Sequence, residues 1–357
     1  MKILFISRAF PPITGGIENQ NYELSVWLPK ICTVKTIANK RGKLFLPIFL
    51  PYALIRVFFL IKNYDAVLLG DGVLSILGWK LKFFSKKPVI CITHGLDLTY
   101  KSWLYQKLWV GFFIKKMDGL MAVGNQTISA GIERGIPREK FIFIPNGVDT
   151  EKFFEKHTRE ELEGFLSVKL ESKKIILTTG RLAPHKGIDW FCSEVIPRLG
   201  DNILYIVAGA GEKRKNIEQI VAEKSIGKRV RILGKVSDNE LKLLYNTADL
   251  YVKPNIRVEG MMEGFGLVVL EAASCKLPVI ASRLEGLQDA IMDGENGFLV
   301  ESENSDAWVN KINDILADDD FLHEFGEKAR KYVINNFSWE IISKKYLAEI
   351  VKIVNKK

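Results

Sequence analysis

Hydrophobic positions in this chain gather into short unbroken runs, separated by longer stretches where they recur at helical spacing. In the first 150 residues the runs are KILFIS, TVKTIA, AVLLG, PVICIT, GLMAVG and KFIFIPNGV. They are apolar on both faces rather than alternating, the pattern of strands in a parallel sheet covered by helices on each side. After Asp149 comes a charged, irregular stretch, TEKFFEKHTREELEGFLSVKLESKK, which reads as a linker with one short helix. A second series follows: KIILTTG, ILYIVAG, VRILG, LYVKP and LPVIAS. The stretch SWEIISKKYLAEIVKIV carries apolar residues at helical spacing. Two βα series in succession predict an α/β protein with two Rossmann-like domains facing each other across a cleft. The domains are expected at residues 1–160 and 161–337, with a helix at 338–357 packing back on the first.

Composition adds little to this picture until charge is considered. Apolar residues make up 47% of the 357 and charged residues 26%, enough for two soluble cores. Cys32, Cys91, Cys192 and Cys275 are scattered with no C-x-x-C pair, as expected of reduced, buried thiols in a cytoplasmic protein. The opening MKILFIS is too short an apolar run for a signal peptide. Residues 44–61 are long and apolar enough to cross a membrane, but Pro47, Pro51 and Arg56 interrupt them and argue against a span. The net charge of +9 is uneven: residues 1–150 hold 20 Lys and Arg against 9 Asp and Glu, the remainder 31 against 33. The first half is therefore expected to face something anionic, with nucleic acid and a membrane surface as the candidates.

Ligands of such sheets bind beyond the C-terminal strand ends, which shortens the list of candidate residues. Gly15 and Gly16 stand between the first strand and a helix, where backbone amides can approach an anionic group, although glycine pairs in turns are common. His94 follows the fourth strand; a lone histidine is more often structural, but this one sits at the sheet edge. Asn146 and Gly147 form a turn after the sixth strand. Gly180 opens the loop GRLAPHKG, whose Arg181 and Lys186 suit a phosphate, arginine by its fork and lysine as a point charge. No Walker sequence is present. Glu263 and Glu271 frame the apolar stretch EGFGLVVLEA, the first in a glycine-bounded loop and the second about 80° round a helix. That stretch offers no cations to pair with them, so ligand hydroxyls are the better explanation for two carboxylates there.

Taken together, PPITGG, PNGVD, GRLAPHKG and EGFGLVVLEA stand in the order seen in retaining glycosyltransferases of family 4, and the chain resembles that family along essentially its whole length. The E-x7-E element preceded by G-R-x4-K-G is the specific part. The resemblance implies the two-domain GT-B fold and a nucleotide sugar as donor. Glu271 would hold the ribose hydroxyls and Glu263 those of the sugar ring. Backbone amides of Phe265, Gly266 and Leu267 would lie beside the sugar and diphosphate. Arg181 and Lys186 would bind the diphosphate with help from Gly15 and Gly16, and Gly180 and Asn146 would line the same site. His94 would approach the reacting carbon, and the loop from Gly234 to Val236 would hold the base. Retention by same-face attack needs no protein nucleophile, and no metal or other cofactor is implied. Asp318–Asp320, the one D-x-D element, reads as an exposed acidic turn.

Other readings stay open on the sequence: a GT-B nucleotide-sugar epimerase, a phosphorylase, or a basic nucleic-acid-binding protein. No recognition motif supports the last, and none is expected as a partner. The donor base, UDP or GDP, is not specified. Three stretches of the basic half mix lysines with aromatics: KRGKLFLPIFLPYALIRVFFLIK, WKLKFFSKK and KSWLYQKLWVGFFIKK. They fit either helices with solvated lysines outside, or helices lying in a membrane interface. The expectation is a peripheral enzyme at the cytoplasmic face of an anionic membrane, acting on a lipid-linked or cell-surface glycan acceptor.

Overall fold

A computed structural model describes residues 1–13 and 15–356, and in it twelve strands fall into two six-stranded, wholly parallel sheets. The first holds β1 (Lys2–Ser7), β2 (Thr33–Ala38), β3 (Ala66–Leu69), β4 (Val89–Thr93), β5 (Gly119–Ala122) and β6 (Phe141–Phe143), in the order β2-β1-β3-β4-β5-β6. The second holds β7 (Lys174–Thr179), β8 (Ile203–Ala208), β9 (Val230–Gly234), β10 (Leu250–Lys253), β11 (Val279–Ser282) and β12 (Phe298–Val300), in the order β12-β11-β10-β7-β8-β9. Val148–Ser338 make one compact unit, and the residues on either side of that segment make the other. Strands β3, β4, β5, β8, β10 and β11 are buried at every position, which is why they read as unbroken apolar runs.

Helices cover both faces of the first sheet. On one face α1 (Gly16–Trp27) and α6 (Trp339–Asn355) lie over Ile3, Phe5, Ile90 and Ile92, with Trp339, Ile342, Tyr346 and Ile350 fully or nearly buried. Gln20 Nε2 donates to the buried Tyr346 hydroxyl at 2.9 Å, so this packing has a fixed register. On the other face α2 (Leu46–Leu60) sets Phe49, Ala53 and Val57 against Leu4, Ile6, Val67 and Leu69, beside α3 (Ser75–Leu81). In the second unit α4 (Arg159–Leu166) is the short helix of the charged linker stretch, closed at its start by a capping box of Thr158 and Glu161. Helix α5 (Leu267–Ser274) follows β10.

Strand order reverses beside β1 in the first sheet and beside β7 in the second. The loops after β1 and β3, and after β7 and β10, therefore flank the crevices where such sheets take ligands.

Three features depart from the sequence reading. Strand β12 was not anticipated, being only three residues long and half-exposed at two of them. Residues 43–63 form one continuous helical run in which Pro47 occupies the first turn of α2, where a missing N–H is tolerated, and Pro51 lies inside it. Its most apolar 18-residue window is only 22% buried, so most of that apolar surface faces outward. All four cysteines are free, but Cys32 is half-exposed rather than buried.

Candidate active site

The loops after β7, β8 and β9 and helix α5 enclose a cavity of about 330 Å3 in the second unit. Gly180, Arg181, Val236 and Glu271 line it, so four positions singled out from the sequence converge on one space. Lys235 and Tyr245 line it as well. The wall can form only because two strand ends approach closely: a Cβ on Gly209 would stand 1.7 Å from the Gly180 carbonyl oxygen.

Glu271 is held there by neutral groups. The Tyr245 hydroxyl donates to its Oε2 at 3.1 Å, Thr179 Oγ1 lies 2.8 Å from the same hydroxyl, and the Tyr251 hydroxyl lies 3.0 Å from Thr179 Oγ1. Burial raises the carboxyl of Glu271 above its ordinary value, against a smaller opposite pull from the Tyr245 hydrogen bond. A buried carboxylate on a relay of hydroxyls retains lone pairs for further hydroxyl donors, such as a vicinal diol.

Glu263 lies in the loop before α5 and meets the opposite environment. Its Oε2 pairs with Lys186 Nζ, accepts from Asn255 Nδ2 at 3.0 Å, and stands 3.9 Å from Lys253 Nζ. The stretch EGFGLVVLEA itself offers no cation, as read from the sequence, but Glu263 finds two from outside it. Lys186 arrives from the loop after β7, 77 positions away, and Lys253 from the nearby end of β10. Burial alone would raise the Glu263 carboxyl, but Lys253 and Lys186 outweigh it and bring it down to about 2. Lys253 is pushed down to about 7 by its burial and by Lys186, against the pull of Glu263. Two lysine amines at one carboxylate oxygen leave only a partial positive surplus in a nearly closed space, since Lys253, at about 7, is about half protonated at neutral pH. Lys253 Nζ also lies beneath Gly180, 3.7 Å from where a Cβ there would be, so this surplus adjoins the Glu271 cavity.

Helix α5 begins between the two carboxylates. Gly266, at φ 81°, is its N-cap, and a Cβ there would stand 2.6 Å from Leu287 Cδ2. Phe265 turns its ring into the core, leaving only its backbone for a ligand, and α5 starts at Leu267 with no side-chain cap. An uncapped helix start of this kind favours an anion.

Gly234 ends β9 at φ 78° and is not among the residues that line the cavity. The other candidates lie in the first unit. His94 follows β4 with Nε2 3.0 Å from the Gly70 carbonyl oxygen. A carbonyl only accepts, so Nε2 carries the proton and Nδ1 is the free acceptor. Its backbone N–H donates to Asp97 Oδ2 at 3.2 Å, which also accepts from Gly72 N at 3.0 Å. Beside it the fully buried Asp71 pairs with Arg8 Nε at 2.9 Å, and burial pushes Asp71 up to about 6 although Arg8 pulls it down. Gly15 precedes α1 and Gly16 opens it without a side-chain cap; a Cβ on Gly16 would meet nothing within 4 Å. Asn146 is half-buried, with Oδ1 lacking a partner.

Sequence reasoning missed Lys253, Asn255, Tyr245 and the Arg8–Asp71 pair. A signal existed for two of them: Lys253 ends a strand that is otherwise apolar, and Asp71 follows β3 at its C-terminal end. Asp318 caps the helix Asp319–Phe337 and Asp319 pairs with Lys174, so the acidic turn is engaged structurally.

The sequence profile described as Glycosyl transferases group 1 matches residues 162–332, and that described as Glycosyltransferase Family 4 matches residues 14–152. The chain is a group 1, family 4 glycosyltransferase. This glycosyltransferase is 24% identical over 367 residues to the GDP-mannose-dependent alpha-(1-6)-phosphatidylinositol monomannoside mannosyltransferase of Mycolicibacterium smegmatis, covering 94% of this chain and 95% of that one. It is 30% identical over 239 residues to the lipopolysaccharide 1,2-N-acetylglucosaminetransferase of Salmonella typhimurium, covering 64% and 61%. A glycosyltransferase from Rickettsia africae superposes over the whole of both chains with a TM-score of 0.79 at 21% identity. Anabaena HepE in complex with UDP gives 0.78 at 19% identity over 99% and 100%. These likenesses give the enzyme the two-domain GT-B fold, and nucleotide sugars are its donors.

Proposed function

We propose that the enzyme transfers a hexosyl unit from a UDP- or GDP-sugar, with retention and without a metal ion, to a lipid-linked or cell-surface glycan acceptor at the cytoplasmic face of a membrane. The observation that carries this is the cationic cluster of Lys186 and Lys253 around Glu263, next to the Glu271 cavity. Cleaving a sugar–diphosphate bond leaves an oxocarbenium-like ring and a strongly anionic leaving group. Preorganised positive charge at the leaving group is the largest catalytic contribution available. Arg181, Lys186 and the start of α5 supply it in this reading, and Lys253 adds to it. Glu271 takes the ribose hydroxyls, Glu263 the sugar hydroxyls, and the Lys235–Val236 wall the base. His94, with Nδ1 free to accept, approaches the reacting carbon.

Glu263 also bears on stereochemistry. A carboxylate clamped by two lysines and brought to about 2 is a weak nucleophile and a poor proton donor, which disfavours a glycosidase-like pair and suits same-face attack. Metal independence is supported by the cations already at the site. The acceptor class rests on the relatives, one named for a phosphatidylinositol mannoside and one for lipopolysaccharide.

The test is a panel of UDP-, GDP- and ADP-sugars with a lipid-linked glycan acceptor, with and without EDTA, reading product anomers by NMR. Transfer with retained configuration that survives EDTA is expected. Complete loss on chelation, restored by Mn2+, would overturn metal independence. Conversion of the donor without acceptor would make the enzyme an epimerase.

A further inference from the structure

The outward face of the first unit has no role in the donor site, and its composition is one-sided. Residues 43–63, 72–87 and 100–117 contain eleven Lys and Arg and no Asp or Glu, which equals the entire charge excess of the basic half. Among the described residues only Lys82 of these eleven is ion-paired, with Asp118 at 2.9 Å.

The structure brings the three segments together. Phe58 of α2 makes edge-to-face contacts with Phe59 at 5.5 Å and Phe84 at 5.2 Å. Trp79 of α3 contacts Phe83 at 5.0 Å and Phe112 of the helical segment 103–113 at 5.7 Å. Large apolar side chains on this connected surface are nonetheless open to solvent: Leu44 is 97% exposed, Phe59 73%, Phe83 72% and Trp103 74%. Leu44, Ile48, Tyr52, Ile55 and Phe59 follow one another at spacings of three and four, so α2 presents a single apolar stripe outward while its opposite face is buried on the sheet. The run has 21 residues and an 18-residue window with a mean hydropathy of 2.3, enough by length and composition to cross a membrane, but here one face of it packs on the sheet.

At the C-terminal end of the stripe lies a cavity of about 500 Å3, apolar on the side of Phe58, Ile61 and Phe84 and cationic on the side of Lys62, Lys86 and Lys87. Asp65 also lines it, but its Oδ2 already accepts from the Lys2 backbone at 2.7 Å. Elsewhere on the surface Lys107 and Lys116 lie over the rings of Trp103 and Phe112.

We infer that this surface docks on an anionic lipid bilayer, with α2 lying in the plane of the interface, its Leu44–Phe59 stripe among the acyl chains, and Lys62, Lys86 and Lys87 on lipid phosphates. Interfacial helices have this make-up: an apolar stripe, aromatics at the boundary and cations that reach headgroups. A second copy is a poor occupant, since pairing this surface with itself would oppose like charges over its whole area. The inference deepens the membrane setting proposed above and rests on that reading only for its purpose.

Co-sedimentation of the full chain with phosphatidylglycerol–phosphatidylcholine vesicles tests it without any sugar donor. Wild type should bind these vesicles, ignore pure phosphatidylcholine, and lose about tenfold or more in affinity between low salt and 0.5 M NaCl, about 500 mM. Ile55→Ser with Phe59→Ser removes the stripe, and Lys62→Glu with Lys86→Glu and Lys87→Glu reverses the cations. Each set should weaken binding about 100-fold. Ile55, Phe59, Lys62 and Lys86 are exposed and Lys87 is half-exposed, and unchanged melting and nucleotide binding will show that the fold is intact. Wild type that ignores anionic vesicles at low salt overturns the proposal. So does a stripe variant that binds as well as wild type, or a concentration-dependent dimer that the stripe variant abolishes. Vesicle binding without glycosyl transfer would sink the proposed function and leave this docking intact.

Discussion

The two glutamates of EGFGLVVLEA occupy neighbouring but electrically opposite places. Glu263 is surrounded by cations, with Lys186 and Lys253 at one of its oxygens and Asn255 donating to the same atom. Glu271, five residues into α5, meets only the hydroxyl relay of Tyr245, Thr179 and Tyr251. Identical side chains eight positions apart are thus held by different physics. The charge of Glu263 is fixed by its partners, and removing one member of such a buried set typically costs about 3–5 kcal/mol because the others are left uncompensated. The charge of Glu271 is opposed by burial, and the site keeps it usable through hydrogen bonds. In the function proposed above, one end of the site would meet charge that develops during reaction and the other would recognise neutral hydroxyls at rest.

The sharpest way to break this contrast is Glu263→Gln, which keeps the shape and removes the charge. Transfer should fall about 1000-fold, about 4 kcal/mol, as the preorganised end loses its order. Affinity for the free nucleoside diphosphate should not fall, because Lys186 and Lys253 are freed to meet phosphate. Steady-state kinetics paired with calorimetry reads both, and an equal loss in the two would erase the distinction.

Glu271→Ala should do the converse at smaller scale. Losing a charged hydrogen-bond acceptor should weaken nucleoside diphosphate binding by about 10- to 100-fold, while turnover at saturating donor stays within about tenfold. If calorimetry finds nucleotide affinity unmoved, the ribose does not sit at Glu271.

The smallest expected effect is on the pH dependence of stability. Lys253 is held at about 7 in the fold against 10.5 as the ordinary value. Between those pH values the unfolded chain binds the extra proton, so stability rises with pH from about 7 upward. Glu263, at about 2 against 4.5, contributes in full above 4.5 and loses its contribution as pH falls toward 2. The melting temperature of wild type relative to Lys253→Met should therefore drift in favour of wild type from pH 6 to pH 9. A flat or opposite drift would show that Lys253 stays charged throughout.

Most strands were legible because both their sides are covered, as at β3, β4, β5, β8, β10 and β11, while the partly exposed edge strands β2 and β9 still coincide with the runs TVKTIA and VRILG to the residue. Three-residue β12 offered no such run. Within the site, Gly180, Arg181, Val236 and Glu271 were legible because parallel topology brings strand ends together. Lys253 and Tyr245 were not, since a strand or helix pattern does not say which neighbour a side chain will meet across the fold. The same limit applied to residues 44–61, where composition gives the apolar content but not which part of it the sheet covers.

The placing of α6 bears on how the molecule is made. Trp339, Ile342, Tyr346 and Ile350 complete the layer over Ile3, Phe5, Ile90 and Ile92, yet Val148–Ser338 stand between them in the chain. At a usual elongation rate of about 5–20 residues per second, that segment takes on the order of ten to forty seconds to synthesise. Throughout that time one side of the first sheet has no α6 to cover it, and the second unit has its whole sequence only at the end of it. The half of the chain that is begun first is thus the last to receive its final helix.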